Sequence, residues 1–159
     1  MSVETVRKYL DGFGVGDRIL EFSTSSATVE LAAAVLGVIP ARIAKTLSFR
    51  TPDGALLVVA AGDAKVDNRK FKETFGIKAK MLSAEDELSL VGHPVGGVCP
   101  FAVNPGVPIF LDESLRRFET VYPAAGSANS AIELTCDEIA EYSGAERWVD
   151  CCKLPSETI

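Results

Sequence analysis

Ile43-Ala-Lys-Thr-Leu-Ser-Phe-Arg-Thr-Pro-Asp-Gly-Ala-Leu-Leu-Val-Val-Ala-Ala61 is the stretch that decides the fold. Its apolar runs read as strands over residues 43–50 and 55–61. Thr51-Pro-Asp-Gly54 between them is a turn sequence: proline presets its backbone dihedral, aspartate bonds its own backbone, and glycine takes conformations other residues resist. The first strand carries Ile43, Leu47 and Phe49 at odd positions as an apolar face, and Lys45 points the same way. A lysine on the buried face of a strand is costly unless it lines a cavity.

Upstream of the hairpin, an alanine-rich helix starts at Ser26 or Thr28 and runs to Leu36, with Gly37 as its stop. Pro40 opens one further turn at most. Arg18 to Phe22 reads as a strand. Ser2 to about Leu10 reads as a helix, with Ser2 as N-cap and Gly12 as its end. Downstream, Asp67 caps a helix in which Phe71 and Phe75, one turn apart, face the core, and Gly76 ends it. Residues 77–81 read as a short strand, and Ser83 caps an acidic helix that stops at Gly92.

Further strands are expected at about 97–103, 107–111, 119–123 and 130–134. Turns are expected at Asn104-Pro-Gly106 and Gly126-Ser-Ala-Asn129, and a short helix at about 113–117. Thr135-Cys-Asp-Glu138 is a capping box for the last helix, which ends at Gly144, and Trp148 and Val149 close the fold. Strands and helices interleave without a regular βαβ repeat. That predicts an α/β fold, a single domain on a mixed, strongly curved sheet. The domain is expected over residues 1–150, with 151–159 as a C-terminal tail whose Lys153-Leu-Pro-Ser-Glu-Thr158 reads as a loose end.

A chain of 159 residues suits one core, and 47% hydrophobic with 24% charged residues is an ordinary globular mixture. The apolar stretches are short or broken by charge, so none predicts a membrane span. Met1-Ser-Val-Glu-Thr-Val-Arg7 has no apolar core of a secretory signal. Cys99, Cys136, Cys151 and Cys152 show no C-x-x-C spacing, and with one histidine a zinc site needs an unusual ligand set. Free thiols in a reducing cytoplasm are the expectation. A net charge of −6 argues against DNA and against any broad nucleic-acid groove. It leaves open a protein that grips only a small part of a nucleic acid, with weak, salt-sensitive affinity or a partner to supply it.

Val91-Gly-His-Pro-Val-Gly-Gly-Val-Cys-Pro-Phe-Ala-Val103 packs three glycines, two prolines and the only histidine between two apolar runs. Glycine loses the most backbone freedom on ordering, so chains keep such loops where backbone N–H groups must approach a ligand closely.

Thr28…Ala32-Ala33…Leu36-Gly37…Ile43-Ala-Lys45-Thr46, then Gly62-Asp63, Gly96-Gly97-Val98-x-Pro100-Phe101 and Gly126-Ser127, resemble the YbaK/EbsC-type aminoacyl-tRNA editing family. That family includes free-standing relatives of the editing insertion of bacterial prolyl-tRNA synthetases. The resemblance covers roughly Ser2 to Val149. It implies a barrel-like curved mixed sheet surrounded by helices, and hydrolysis in trans of the ester of a mischarged aminoacyl-tRNA. The implied amino acid is small (alanine, serine, threonine or cysteine), most simply on tRNA for proline. The family's lysine at this motif is required for deacylation, which makes Lys45 the expected catalytic residue.

The residues themselves leave two readings of Lys45: an ammonium that holds an anion or polarises a carbonyl in a water-poor pocket, or a lysine whose stem packs while its head reaches solvent. Thr46 is a substrate-binding candidate on the opposite face, or a good strand former. The Gly96-Gly97-Val98 amides suit a developing oxyanion, with Pro100 stiffening the exit and Phe101 walling the pocket; the alternative is a tight turn. No Lys-Ser/Thr follows, so the loop is not a P-loop. His93 is the one imidazole, a general base or a helix C-terminal cation beside Gly92.

Gly126 can admit a substrate backbone, and Ser127 and Asn129 can bond an amino group or a ribose hydroxyl; equally, they form a plain turn. Ser127 lacks the G-x-S-x-G context of a nucleophile. Asp63 is a site neighbour or a turn cap. Cys99 is an inert buried thiol or an accidental reactive one, and Glu85-Asp86-Glu87 a solvated helix start. The expected mechanism needs no metal and no cofactor: water attacks while Lys45 and the loop amides position the ester. The resemblance implies the acceptor end of aminoacyl-tRNA as the partner, with an aminoacyl-tRNA synthetase as a further candidate. The alternative class is a non-catalytic nucleotide- or protein-binding regulatory module.

Overall fold

In the computed structural model, which describes residues 3–155, helix α1 (Val3–Asp11) turns Val3, Val6 and Leu10 into the core at helical spacing. A 3-10 turn over Gly16–Arg18 leads to β1 (Leu20–Glu21). Thr28 caps α2 (Val29–Leu36) by accepting the Leu31 N–H, and Gly37 ends it at φ 71°. After a 3-10 turn at Pro40–Arg42 come β2 (Ile43–Thr51), β3 (Gly54–Ala61) and β4 (Lys65–Val66). Asp67 caps α3 (Asn68–Phe75), and Ser83 caps α4 (Ala84–Asp86). The chain then widens into a π-helical turn over Glu87–Val91, closed by the Gly92 N–H on the Glu87 carbonyl. Next come β5 (Ile109–Asp112), a 3-10 turn at Glu113–Arg117, β6 (Thr120–Pro123), β7 (Ser130–Ala131) and β8 (Leu134–Thr135). The expected capping box starts α5 (Cys136–Ser143), and β9 (Arg147–Val149) and β10 (Cys152–Lys153) follow.

One mixed sheet, in the order β8-β6-β2-β3-β5-β9, curls into a half-barrel. The hairpin β2–β3 is its centre, antiparallel from Thr51↔Gly54 to Ala44↔Ala61. β6 adds in parallel to β2, β5 to β3 and β9 to β5. Residues 55–61 of β3 are all buried, so the strand reads as a continuous apolar run. A chain of rings, Phe49 to Phe71 at 4.7 Å, Phe71 to Phe75 at 4.7 Å and Phe75 to Phe110 at 4.9 Å, seats α3 on the sheet.

Several expected strands take another form. Residues 97–103 form no strand: Gly96 and Ala102 stand at φ 90° and 54°, and Pro100 has no N–H to give a ladder. Residues 77–81 contribute a single bridge, Met81 to Phe49. The span 130–134 divides into β7, which pairs with β1, and β8, which pairs with β6. Of 18–22 only Leu20 and Glu21 pair as a strand. The end of the chain is tied down further than expected. Cys151 and Cys152 are buried, and β10 pairs with β4 because its backbone completes that small ladder. The N-cap assigned to Ser2 and the last residues of the tail lie outside the described residues. Among those described, no helix is long and apolar enough to cross a membrane.

Candidate active site

The site arises where β2 changes neighbours. β6 reaches only Ile43 and Ala44. Farther along, the Arg50 N–H donates to the Lys80 carbonyl and the Leu82 N–H to the Ser48 carbonyl. Between these contacts the edge of β2 at residues 45–47 has no strand beside it among the described residues. Alternation directs the backbone N–H and C=O of Thr46 to this same open edge. A cavity of about 250 Å³ lies there. Ser26–Val29 at the start of α2, residues 43–46 of β2, Gly96 and Val98, Tyr122 and Ala124, Ser130 and Ala131, Met81, Val95 and Glu87 line it.

Lys45 is partly buried, and its ammonium donates to the Gly62 carbonyl at 3.3 Å and to the Ala64 carbonyl. Burial pulls its pKa below the usual lysine range, opposed by Cys152 and Asp63 nearby. Gly62 makes this possible. A Cβ there would overlap the Pro40 carbonyl oxygen and stand 2.7 Å from Val29 Cγ1, so only glycine lets the end of β3 pass beneath α2. Thr46 also lines the cavity, and its Oγ1 is buried with no hydrogen-bond partner.

The glycine loop is pressed between two other loops. A Cβ on Gly97 would lie 2.9 Å from Ser127 Cα, and one on Gly96 3.2 Å from Ala27 Cβ. Close packing accounts for Gly97, and a φ of 90° together with the tight contact accounts for Gly96. The Gly97 N–H is used within the loop, donating to the Pro94 carbonyl at 3.0 Å. Gly96 and Val98 line the cavity with amides that have no acceptor among the described residues.

The structure gathers the other expected site residues around the cavity without placing them on its walls. His93 is fully buried; its Nε2–H donates to the Phe101 carbonyl at 2.7 Å, and Nδ1 has no partner. Burial lowers its pKa, so it stands as a neutral ring rather than a helix-end cation. Phe101 belongs to the core, 6.4 Å from Tyr9, and Pro100 is buried beside it. Cys99 sits 3.6 Å from His93 Nε2, its thiol pushed up to about 12 by burial.

Ser127 Oγ bonds Asn129 Oδ1 and Ser130 Oγ, both at 2.8 Å, and Asn129 Nδ2 donates to the Phe22 carbonyl at 2.9 Å. With Gly126 at φ 97°, this turn braces the loop that Gly97 packs against. Asp63 is held by Arg117 through contacts of 2.6 and 3.1 Å, and that guanidinium keeps its carboxyl below the usual range.

Sequence reasoning passed over Glu87. Residues 85–87 read as a solvated acidic run, yet Glu87 is 9% exposed, lines the cavity, and accepts the Ser48 hydroxyl at 2.5 Å. The available signal was Ser48, a polar residue on the same face of β2 as Thr46 and in need of a buried partner. Away from the cavity lining, Asp112, Cys151 and Cys152 bring three donor atoms within 4.8 Å of one another, a set that could hold a thiophilic cation. Asp112 also accepts the N–H groups of Ser114 and Cys151 at 2.9 and 3.0 Å.

The comparisons agree with this architecture. The family model for the aminoacyl-tRNA editing domain matches residues 24–142. The uncharacterized protein YwhH of Bacillus subtilis is 52% identical over 154 residues, 96% of this chain and 98% of that one. The proline–tRNA ligase of Thermosipho melanesiensis is 31% identical over 101 residues, which are 63% of this chain and 18% of the ligase. A crystal structure of a candidate trans-editing enzyme for prolyl tRNA synthetase superposes with a TM-score of 0.86 at 28% identity, covering 95% of this chain and 96% of that one. The matched span holds the lysine strand, the glycine loop and every wall of the cavity, and the chain belongs to the aminoacyl-tRNA editing domain family, with aminoacyl-tRNA deacylase as its enzyme class.

Proposed function

We propose that the protein hydrolyses, in trans, the ester of a small amino acid mischarged onto tRNA, with alanine, serine, threonine or cysteine on tRNA for proline as the first candidates. The observation that carries this reading is the cavity at the open edge of β2, where a partly buried lysine and two unengaged loop amides meet. At about 250 Å³ it falls below the usual ~300–1,000 Å³ of small-molecule sites, which suits an aminoacyl group better than a whole nucleoside.

In this mechanism the aminoacyl ester enters beside Thr46. The Gly96 and Val98 amides face the carbonyl oxygen as it gains charge, and fixed donors of that kind need no reorganisation during the reaction. Lys45, clamped by two carbonyls, supplies positive charge in a water-poor setting, where it counts for more than in bulk. Water attacks, and its proton leaves to a substrate hydroxyl or a second water. No step calls on a metal. The net charge of −6 leaves little attraction for the tRNA body, so a synthetase that already holds the tRNA is the proposed partner.

The test is deacylation of alanyl-, seryl-, threonyl- and cysteinyl-tRNA for proline by wild type and Lys45→Ala. Wild type should hydrolyse at least one, and the variant should lose about 10²–10³-fold in rate, as for loss of one oxyanion donor. Equal tRNA binding by both proteins with no hydrolysis would replace the enzyme with a binding module.

A further inference from the structure

Lys45 and Glu87 are the two charged side chains that line the cavity, and no ion pair joins them. Glu87 is more than nine-tenths buried. One carboxylate oxygen takes the Ser48 hydroxyl; the other has no hydrogen-bond partner among the described residues. No arginine or lysine among them forms an ion pair with it, although its neighbour Asp86 pairs with Arg50. That free oxygen is not among the enclosed polar atoms and so opens on the cavity that Glu87 lines. The π-helical turn that begins at Glu87 and the buried serine beneath it set its position. Thr46 Oγ1, on the same face of β2 as Ser48, is a second polar atom in the lining without a partner.

We infer that Glu87 is the anchor for the α-ammonium group of the substrate. The inference rests on the editing reading and names the part of the substrate that reading leaves unassigned. An aminoacyl ester carries one cation, its α-ammonium, and the cavity carries one carboxylate. The ammonium has three donors: Glu87 takes one, Thr46 Oγ1 can accept another, and the third remains for water. Glu87 is a binding residue in this arrangement. Selection at this site then requires a free amino group as well as a small side chain.

The experiment sets each aminoacyl-tRNA that the wild type cleaves beside its α-hydroxy counterpart, lactyl-tRNA for alanyl-tRNA and glyceryl-tRNA for seryl-tRNA. Rates are divided by the spontaneous hydrolysis of each ester, since the ammonium itself activates the bond. Wild type should prefer the amino form by about 30-fold or more in kcat/KM, the loss expected when one member of a buried charge pair is removed. Glu87→Gln should lose that factor on the amino substrate, keep its rate on the hydroxy substrate, and bring the ratio near one. An undiminished preference in Glu87→Gln overturns the inference, as does an equal loss on both substrates, which would mark a base or a structural support. A wild type inactive on every ester brings down the editing reading itself, a different result from either.

Discussion

Gly97→Ala tests whether the site depends on one loop resting on another. The φ of Gly97 lies outside the left-handed range, so the methyl group meets a problem of space alone. It would stand 2.9 Å from Ser127 Cα and 3.1 Å from that residue's C and N. All three are backbone atoms of a turn braced by Ser130 and by Asn129 on Phe22, so no side chain can swing away. Carbon atoms rest at roughly 3.5–4.0 Å, so the loops must part by about 0.6 Å or more. Overpacking of this kind costs about 1–3 kcal/mol. For a domain of this size that is a fall in Tm of roughly 2–12 °C. The same recoil moves the Gly96 and Val98 amides, and a displacement near 1 Å costs about 10²-fold in rate, so a loss of tens of fold is expected. Thermal unfolding followed by circular dichroism and single-turnover deacylation measure the two effects. Unchanged Tm and rate would refute the packing argument; a lowered Tm with a full rate would remove the loop from the site.

Glu138 accepts the Thr135 N–H at 2.9 Å and Arg18 at 2.8 Å, and Arg18 foremost holds its pKa down to about 2 from 4.5. A depressed carboxylate stabilises the fold above its unfolded pKa and loses that contribution as pH falls through the folded one. With the two side chains 26% and 40% exposed, screening reduces the full linkage value to about 1 kcal/mol. Glu138→Gln should be less stable by that amount in urea at pH 7, with the gap shrinking by more than half at pH 3; a constant gap would contradict the assignment. Cys99, fully buried with its thiol near 12, should resist iodoacetamide in the native protein at pH 8 and react on unfolding, read by peptide mass spectrometry. Its rapid native labelling would mean that the loop opens.

What was legible in the sequence was local. The Thr51–Gly54 turn, the Thr28, Asp67, Ser83 and Thr135 caps and the helix-ending glycines each act within one turn of chain, and all stand where read. Residues 97–103 were misread because an apolar run beside proline resembles a strand. Only the buried bond from His93 to the Phe101 carbonyl and the positive φ of Ala102 reveal a folded loop. Cys151 and Cys152 looked like a tail because nothing nearby announces β4, a strand of two residues, as their partner.

The candidate site was half legible, and the missing half adds a carboxylate to it. Glycine density at residues 96–97 was read as a sign of ligand approach, but the close contacts with Ala27 and Ser127 require small residues there whatever binds. Those glycines thus show that three loops converge and do not by themselves identify an oxyanion site. The residues that define the cavity's charge come instead from the open edge of β2: Lys45, engaged by two carbonyls on one side, and Glu87, half-engaged by Ser48 on the other. Lys45 and the Ser48 that holds Glu87 alternate onto opposite faces of β2, and each charge is fixed by groups of the fold, backbone carbonyls just past β3 for one and a buried hydroxyl of β2 for the other. Charges placed in this way favour a ligand that is itself dipolar, positive where it meets Glu87 and electron-rich where it meets Lys45. Under the editing proposal an aminoacyl ester has that polarity, and its orientation follows: ammonium to Glu87, ester carbonyl toward the loop amides, nucleotide outward past Lys45.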